Sequence, residues 1–133
     1  MKGRKPKIII DNDAIDQKII APKWFSKEAR MEWNRVFPSL QARKVLTKPD
    51  LGMLEAYCTA VGVIRQCEAD IQKNGLVVST NTGPKRNPAY SMQSDATKNA
   101  RQLAAELGLT PVSRSRPTVR GDNEDEGFGE YDL

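Results

Sequence analysis

Between Thr47 and Gly75 the chain reads as one unbroken helix, and this feature restricts its possible folds more than any other. LTKPD opens it: Thr47 is a capping residue, Pro49 is tolerated in a first turn, and Asp50 stands three positions beyond the cap in a capping-box variant. NG closes it, with Gly75 expected as the left-handed C-terminal residue. About 26 residues at this pitch make a rod roughly 40 Å long. Leu51, Leu54, Tyr57, Cys58, Val61, Ile64 and Ile71 give that rod a wide apolar face. One short partner helix cannot cover so much surface.

The sequence supplies further partners. SKEARMEWNRVF predicts a helix over Ser26–Phe37, capped by Ser26, with Glu28 in its positive first turn. Ala29, Trp33 and Phe37 recur every fourth residue and form its buried stripe. Pro38 is expected to end or kink it, with a short helical piece over 39–44. LVVST, residues 76–80, is the strong strand signal, and NTGPKRNP, residues 81–88, reads as a turn or hairpin loop. Asn87-Pro88 opens a last helix that runs to Leu107. Its stripe of Ala89, Met92, Ala96, Ala100, Leu103 and Leu107 is rich in alanine and allows close helix approach. Gly108 stops it, and Thr110-Pro111 is suited to cap one more short turn. The fold class expected is mainly α, with long antiparallel helices and a short β-hairpin or strand insertion. Residues 1–25 read as a basic, partly flexible N-terminal arm, 26–116 as the helical core and oligomerisation domain, and 117–133 as a disordered acidic tail.

Much chemistry is excluded. The chain has no histidine, so the commonest general base near neutral pH is missing. Cys58 and Cys67 lie nine residues apart on one predicted helix, about 13.5 Å along its axis, too far for a mutual disulfide. They read as reduced, packed thiols, and no zinc-binding pattern exists. GPKRNP lacks the spacing of an ATP-binding glycine loop, and there is no nucleophile elbow. Asp11, Asp13 and Asp16 lack the glycine and distal glutamate of a calcium loop. The residues therefore point to no catalytic group, no metal, no cofactor and no membrane span, and to work by binding. A metal-dependent nuclease is disfavoured by the absence of histidine and of clustered acids in the body of the chain.

What remains is charge. The last twelve residues, DNEDEGFGEYDL, hold six acids and no base. Residues 1–121 hold 21 Lys and Arg against 11 Asp and Glu, a net of +10. The bases fall in clusters: Lys2, Arg4, Lys5 and Lys7; Arg43 and Lys44; Lys85 and Arg86; Arg114, Arg116 and Arg120. Each cluster lies in a predicted arm, loop or helix end, where long side chains reach phosphates. Lys2, Arg4, Lys5, Lys7, Arg43, Lys44, Lys85, Arg86, Arg114 and Arg116 are the candidate DNA-binding residues. Ordinary solubilising surface is the competing reading, and a non-enzymatic protein-binding adaptor the competing function. Trp24, Phe25, Trp33 and Phe37 fit core packing better than base stacking, because they cluster at helical spacing.

LAAELGLTPVSRSR, residues 103–116, resembles the C-terminal signature of the small terminase subunits of tailed bacteriophages and prophages. The likeness continues upstream. MKGRKPK is similar to that family's basic opening, APKWFSKEARMEWNRVFPSL to its first helix, LTKPDLGMLEAYCTAVGVIRQCEADIQKNGLVV to its long helix, and RNPAYSMQSDATKNARQLAAELGLTP to its last. It covers about residues 20–116; Asn87 stands where histidine is frequent in that family. The resemblance implies a non-catalytic, ring-forming homo-oligomer. Such a ring binds duplex viral DNA at the packaging start site and recruits and regulates the large ATPase-nuclease subunit. It would act in the bacterial host cytoplasm and not in the mature virion. It also implies that Leu51, Leu54, Val61, Ile64, Met92, Ala96, Ala100 and Leu103 pack within the subunit and against neighbouring copies.

Overall fold

The structure is a computed structural model, and it describes residues 13–110. Three helices and a two-stranded hairpin follow in the order α1 (Lys27–Ala42), α2 (Leu51–Asn74), β1 (Val77–Thr80), β2 (Gly83–Arg86) and α3 (Pro88–Leu107). α2 and α3 run antiparallel, joined by the hairpin, and α1 packs on one side of α2. Lys48–Asp50 forms a 3-10 turn that leads directly into α2. There the Asp50 carboxylate accepts from the Thr47 amide (3.0 Å) and hydroxyl (2.8 Å), as the capping-box spacing predicts.

Pro38 does not end the first helix: α1 continues through it to Ala42. The ring removes one amide donor, but Pro38 lies on the exposed side of the helix, where a free carbonyl costs little. The buried side of the helix extends from Ala29 through Trp33, Val36 and Phe37 to Leu40, which is completely enclosed. Burying a leucine is worth about 1.5–3 kcal/mol, comparable to the local cost of the proline.

Residues 13–25, expected within a partly flexible arm, pack on the chain's own core. Ile15, Ala21 and Phe25 are buried there. The Ile15 amide donates to the Leu46 carbonyl (2.9 Å), Ala14 bridges to Thr47, and Trp33 Nε1 donates to the Ile19 carbonyl (3.0 Å). The apolar residues of this stretch have no period of their own because they fill gaps left by helices elsewhere in the chain. Phe25, Trp33 and Phe37 form an aromatic row at the centre of the core. Trp24 departs from the core expectation and stands outside it.

α1 approaches α2 at Gly62, where a methyl group would lie 3.1 Å from Ser26 Oγ and 3.2 Å from the Ala29 amide nitrogen. Three termini follow the sequence closely. Ser26 Oγ accepts from the Ala29 amide (3.1 Å), and Asn87 Oδ1 accepts from the Ala89 amide (2.9 Å). Gly108 is left-handed (φ 79°, ψ 27°), with Leu109 N–H bonded to Ala104 O (2.8 Å) and Gly108 N–H to Ala105 O (3.2 Å), a Schellman ending. Gly75 has φ 88° but ψ 171°, an extended conformation reserved for glycine rather than the left-handed helical one expected.

Candidate nucleic-acid interface

The hairpin carries the first basic pair. Val77 pairs with Arg86, and Val78 with Lys85, so the two cations point to opposite faces of the ribbon. Both are exposed. The turn is shaped by Gly83 (φ 109°) and by Thr80 Oγ1, which donates to the Gly83 carbonyl (2.7 Å) and accepts from the Thr82 amide (3.2 Å).

The ribbon is fixed at its neck by Asn87. Its amide donates to the Leu76 carbonyl (2.8 Å), and its Nδ2 to Asp70 Oδ1 (3.0 Å) and the Gly75 carbonyl (2.9 Å). One buried side chain thus caps α3 and ties the hairpin to the end of α2. Hydrogen bonds from Asn87, then Asn74, hold the Asp70 carboxyl below its ordinary range, so this anchor is charged at neutral pH.

The second basic pair has a divided fate. Arg43 is half-buried, and its Nη1 donates to the Gly108 carbonyl (2.9 Å), tying the end of α1 to the end of α3. That guanidinium has a structural use. Lys44 is exposed, in a left-handed conformation (φ 58°). The two pairs are not brought together: the hairpin is at the start of α3 and Arg43 at its end, about 30 Å apart along the helix. Lys2, Arg4, Lys5, Lys7, Arg114, Arg116 and Arg120, together with the acidic tail, lie outside the described residues.

The positions expected at an oligomer interface also separate. Leu54, Val61, Ala96 and Ala100 are buried within the single chain. Leu51, Ile64 and Leu103 are half-buried against the core. Met92 is exposed.

One polar centre is not legible in the sequence. The Glu32 side chain is only 2% exposed, yet it accepts from Arg35 Nε (2.9 Å), Arg35 Nη2 (2.6 Å) and the Tyr57 hydroxyl (2.6 Å). Arg65 stands 3.6 Å away. Burial alone would raise the Glu32 pKa, but these bonds, Arg35 first and then Tyr57, together with the arginine charges, bring it below the ordinary value. Burial pushes the Tyr57 hydroxyl pKa upward, and that of the neighbouring Cys58 thiol up to about 12. Glu32 lies in EARMEW and Tyr57 in LEAYC, two stretches that share in the family likeness. The spacing marks each as helical, and neither stretch reveals that the two side chains meet.

Among the described residues no group of three or more His, Cys, Asp or Glu side chains is placed to hold a metal ion, and both cysteines are free and buried. Among them, too, no helix is long and apolar enough to cross a membrane. A family model described as phage terminase, small subunit, matches residues 29–124, 96 of the 133 residues. Neither curated proteins nor solved structures give a match.

Proposed function

The chain belongs to the phage terminase small-subunit family, and from that premise we propose that it is the DNA-recognising component of a viral packaging machine. In this reading it binds duplex viral DNA at the packaging start site as a homo-oligomeric ring. It performs no chemistry itself, and it recruits and regulates the large ATPase-nuclease subunit in the host cytoplasm.

The observation that carries the DNA contact is the hairpin, an exposed ribbon at one end of the α2–α3 pair with Lys85 on one face and Arg86 on the other. A two-stranded ribbon fits the width of a DNA major groove, and two cations on a narrow element reach phosphates on either side. Asn87 keeps the ribbon from swinging, which lowers the entropy lost on binding. Ring assembly multiplies such small contacts through effective concentration.

Lys85→Ala combined with Arg86→Ala tests this. Affinity for duplex start-site DNA should drop, and the slope of log affinity against log salt should flatten by about 1 for each phosphate no longer neutralised. Oligomer mass should not change. Equal affinity in the variant and the parent removes the hairpin from the footprint.

A further inference from the structure

We propose that the groove between α2 and α3 receives a second copy of this chain, through the Trp24 turn and the outward face of that copy's α1. This rests on the ring reading above and names the surfaces that would build the ring.

The groove lies on the side of the α2–α3 pair that α1 leaves uncovered. Its volume is about 620 Å³, with Ala56, Ala60 and Val63 from α2 facing Met92, Ala96 and Leu103 from α3. Met92 is 53% exposed and Val63 39%. The small alanines make it a shallow trough between two larger apolar side chains. Asp95 and Glu106 stand on its rim, and neither has an ion-pair partner among the described residues.

The complementary surface lies on another side of the same chain. Trp24 is 65% exposed and Met31, on the outer side of α1, is 55% exposed. Trp24 is held in place. The Phe25 amide donates to the Pro22 carbonyl (3.1 Å), and Arg30 Nη2 reaches the carbonyls of Pro22 (3.3 Å) and Lys23 (3.4 Å). The indole rests edge-on against Phe25, with ring centroids 4.9 Å apart. An exposed tryptophan on a pinned turn loses little freedom on docking and offers the kind of side chain that dominates interfaces. Lys23 and Lys27 flank it, exposed and without ion pairs among the described residues. Basic ridge and acidic groove rim are therefore complementary in charge as well as in apolarity.

Their placement bears on closure. Gly62 of α2 faces Ser26 and Ala29, immediately after the Trp24 turn. Val63, the next residue, is turned about 100° around the helix and lies in the groove. The ridge thus lies level with the Val63 end of the groove, on a different side of the subunit. A contact between such unlike patches is heterologous, the class that builds a ring when its rotation closes.

Native mass spectrometry of the full chain and of Trp24→Ala and Met92→Glu tests the proposal, with circular dichroism to verify that these surface changes leave helix content intact. The parent should be a ring, and each variant should dissociate, its self-association weakened roughly tenfold or more. An equimolar mixture of the two variants should form pairs and stop there: the Trp24→Ala copy keeps a sound groove, the Met92→Glu copy keeps a sound ridge, and one good junction results. If both variants remain rings like the parent, the groove assignment is wrong while the ring reading survives. A Trp24→Ala ring that no longer binds duplex DNA would assign the turn to nucleic acid instead. A parent that is monomeric overturns both readings.

Discussion

Glu32 shows how one residue links two helices. It lies on α1, yet its carboxylate is buried against Tyr57 of α2 and clasped by Arg35. Its folded pKa is below the ordinary value of 4.5, so as pH falls the unfolded chain takes up this proton first. The stabilisation is therefore complete above about pH 4.5 and is lost as the pH falls through the lower folded pKa. Glu32→Gln removes that titration and replaces a charged acceptor by a neutral one. The variant should be about 2 kcal/mol less stable at pH 7, and its stability should decline less steeply between about pH 5 and pH 3. Acid unfolding followed by circular dichroism measures both, and identical acid slopes in variant and parent would show that the carboxylate contributes nothing through its charge.

Among the elements, α1 and α3 end in the same way with different residues. At the end of α1 the Val45 amide bonds to Leu40 O (3.4 Å) and the Lys44 amide to Gln41 O (3.0 Å), the pattern that Gly108 completes at the end of α3. Glycine adopts the left-handed conformation freely, whereas lysine is strained in it by about 1 kcal/mol. Lys44→Gly should therefore raise the urea midpoint, by about 1 kcal/mol in stability. Gly108→Ala should lower it by about 1–2 kcal/mol, because the added methyl is strained and meets Arg43 Nη2 at 3.1 Å. A Lys44→Gly chain less stable than the parent would mean that the lysine side chain makes up for its backbone. Pro38 gives the complementary lesson. A residue that breaks helices locally is carried through when the next turn has Leu40 to bury.

For the molecule as a whole, the separation of the basic pairs matters most. Among the described residues, Lys44 and the hairpin lie at opposite ends of α3; in the ring proposed above, each pair would be repeated around the assembly. Duplex binding between about 50 and 200 mM salt should fall by about 10³-fold or more if six or more phosphates are engaged. A response flat in salt would rule out the basic surface as the footprint. The sequence by itself determined where α1 and α3 start and where α2 and α3 stop, since the caps Ser26 and Asn87 and the stops Gly75 and Gly108 act through bonds within a few residues. It also determined the family, through the order and spacing of those same segments. Tertiary structure alone decided that Arg43 holds Gly108, that Glu32 meets Tyr57, that Leu54, Val61 and Ala100 are buried in the subunit's core, and that Trp24 and Met92 are left outside. Each of these depends on residues far apart in the chain, and their contact energies exist only once the helices have packed.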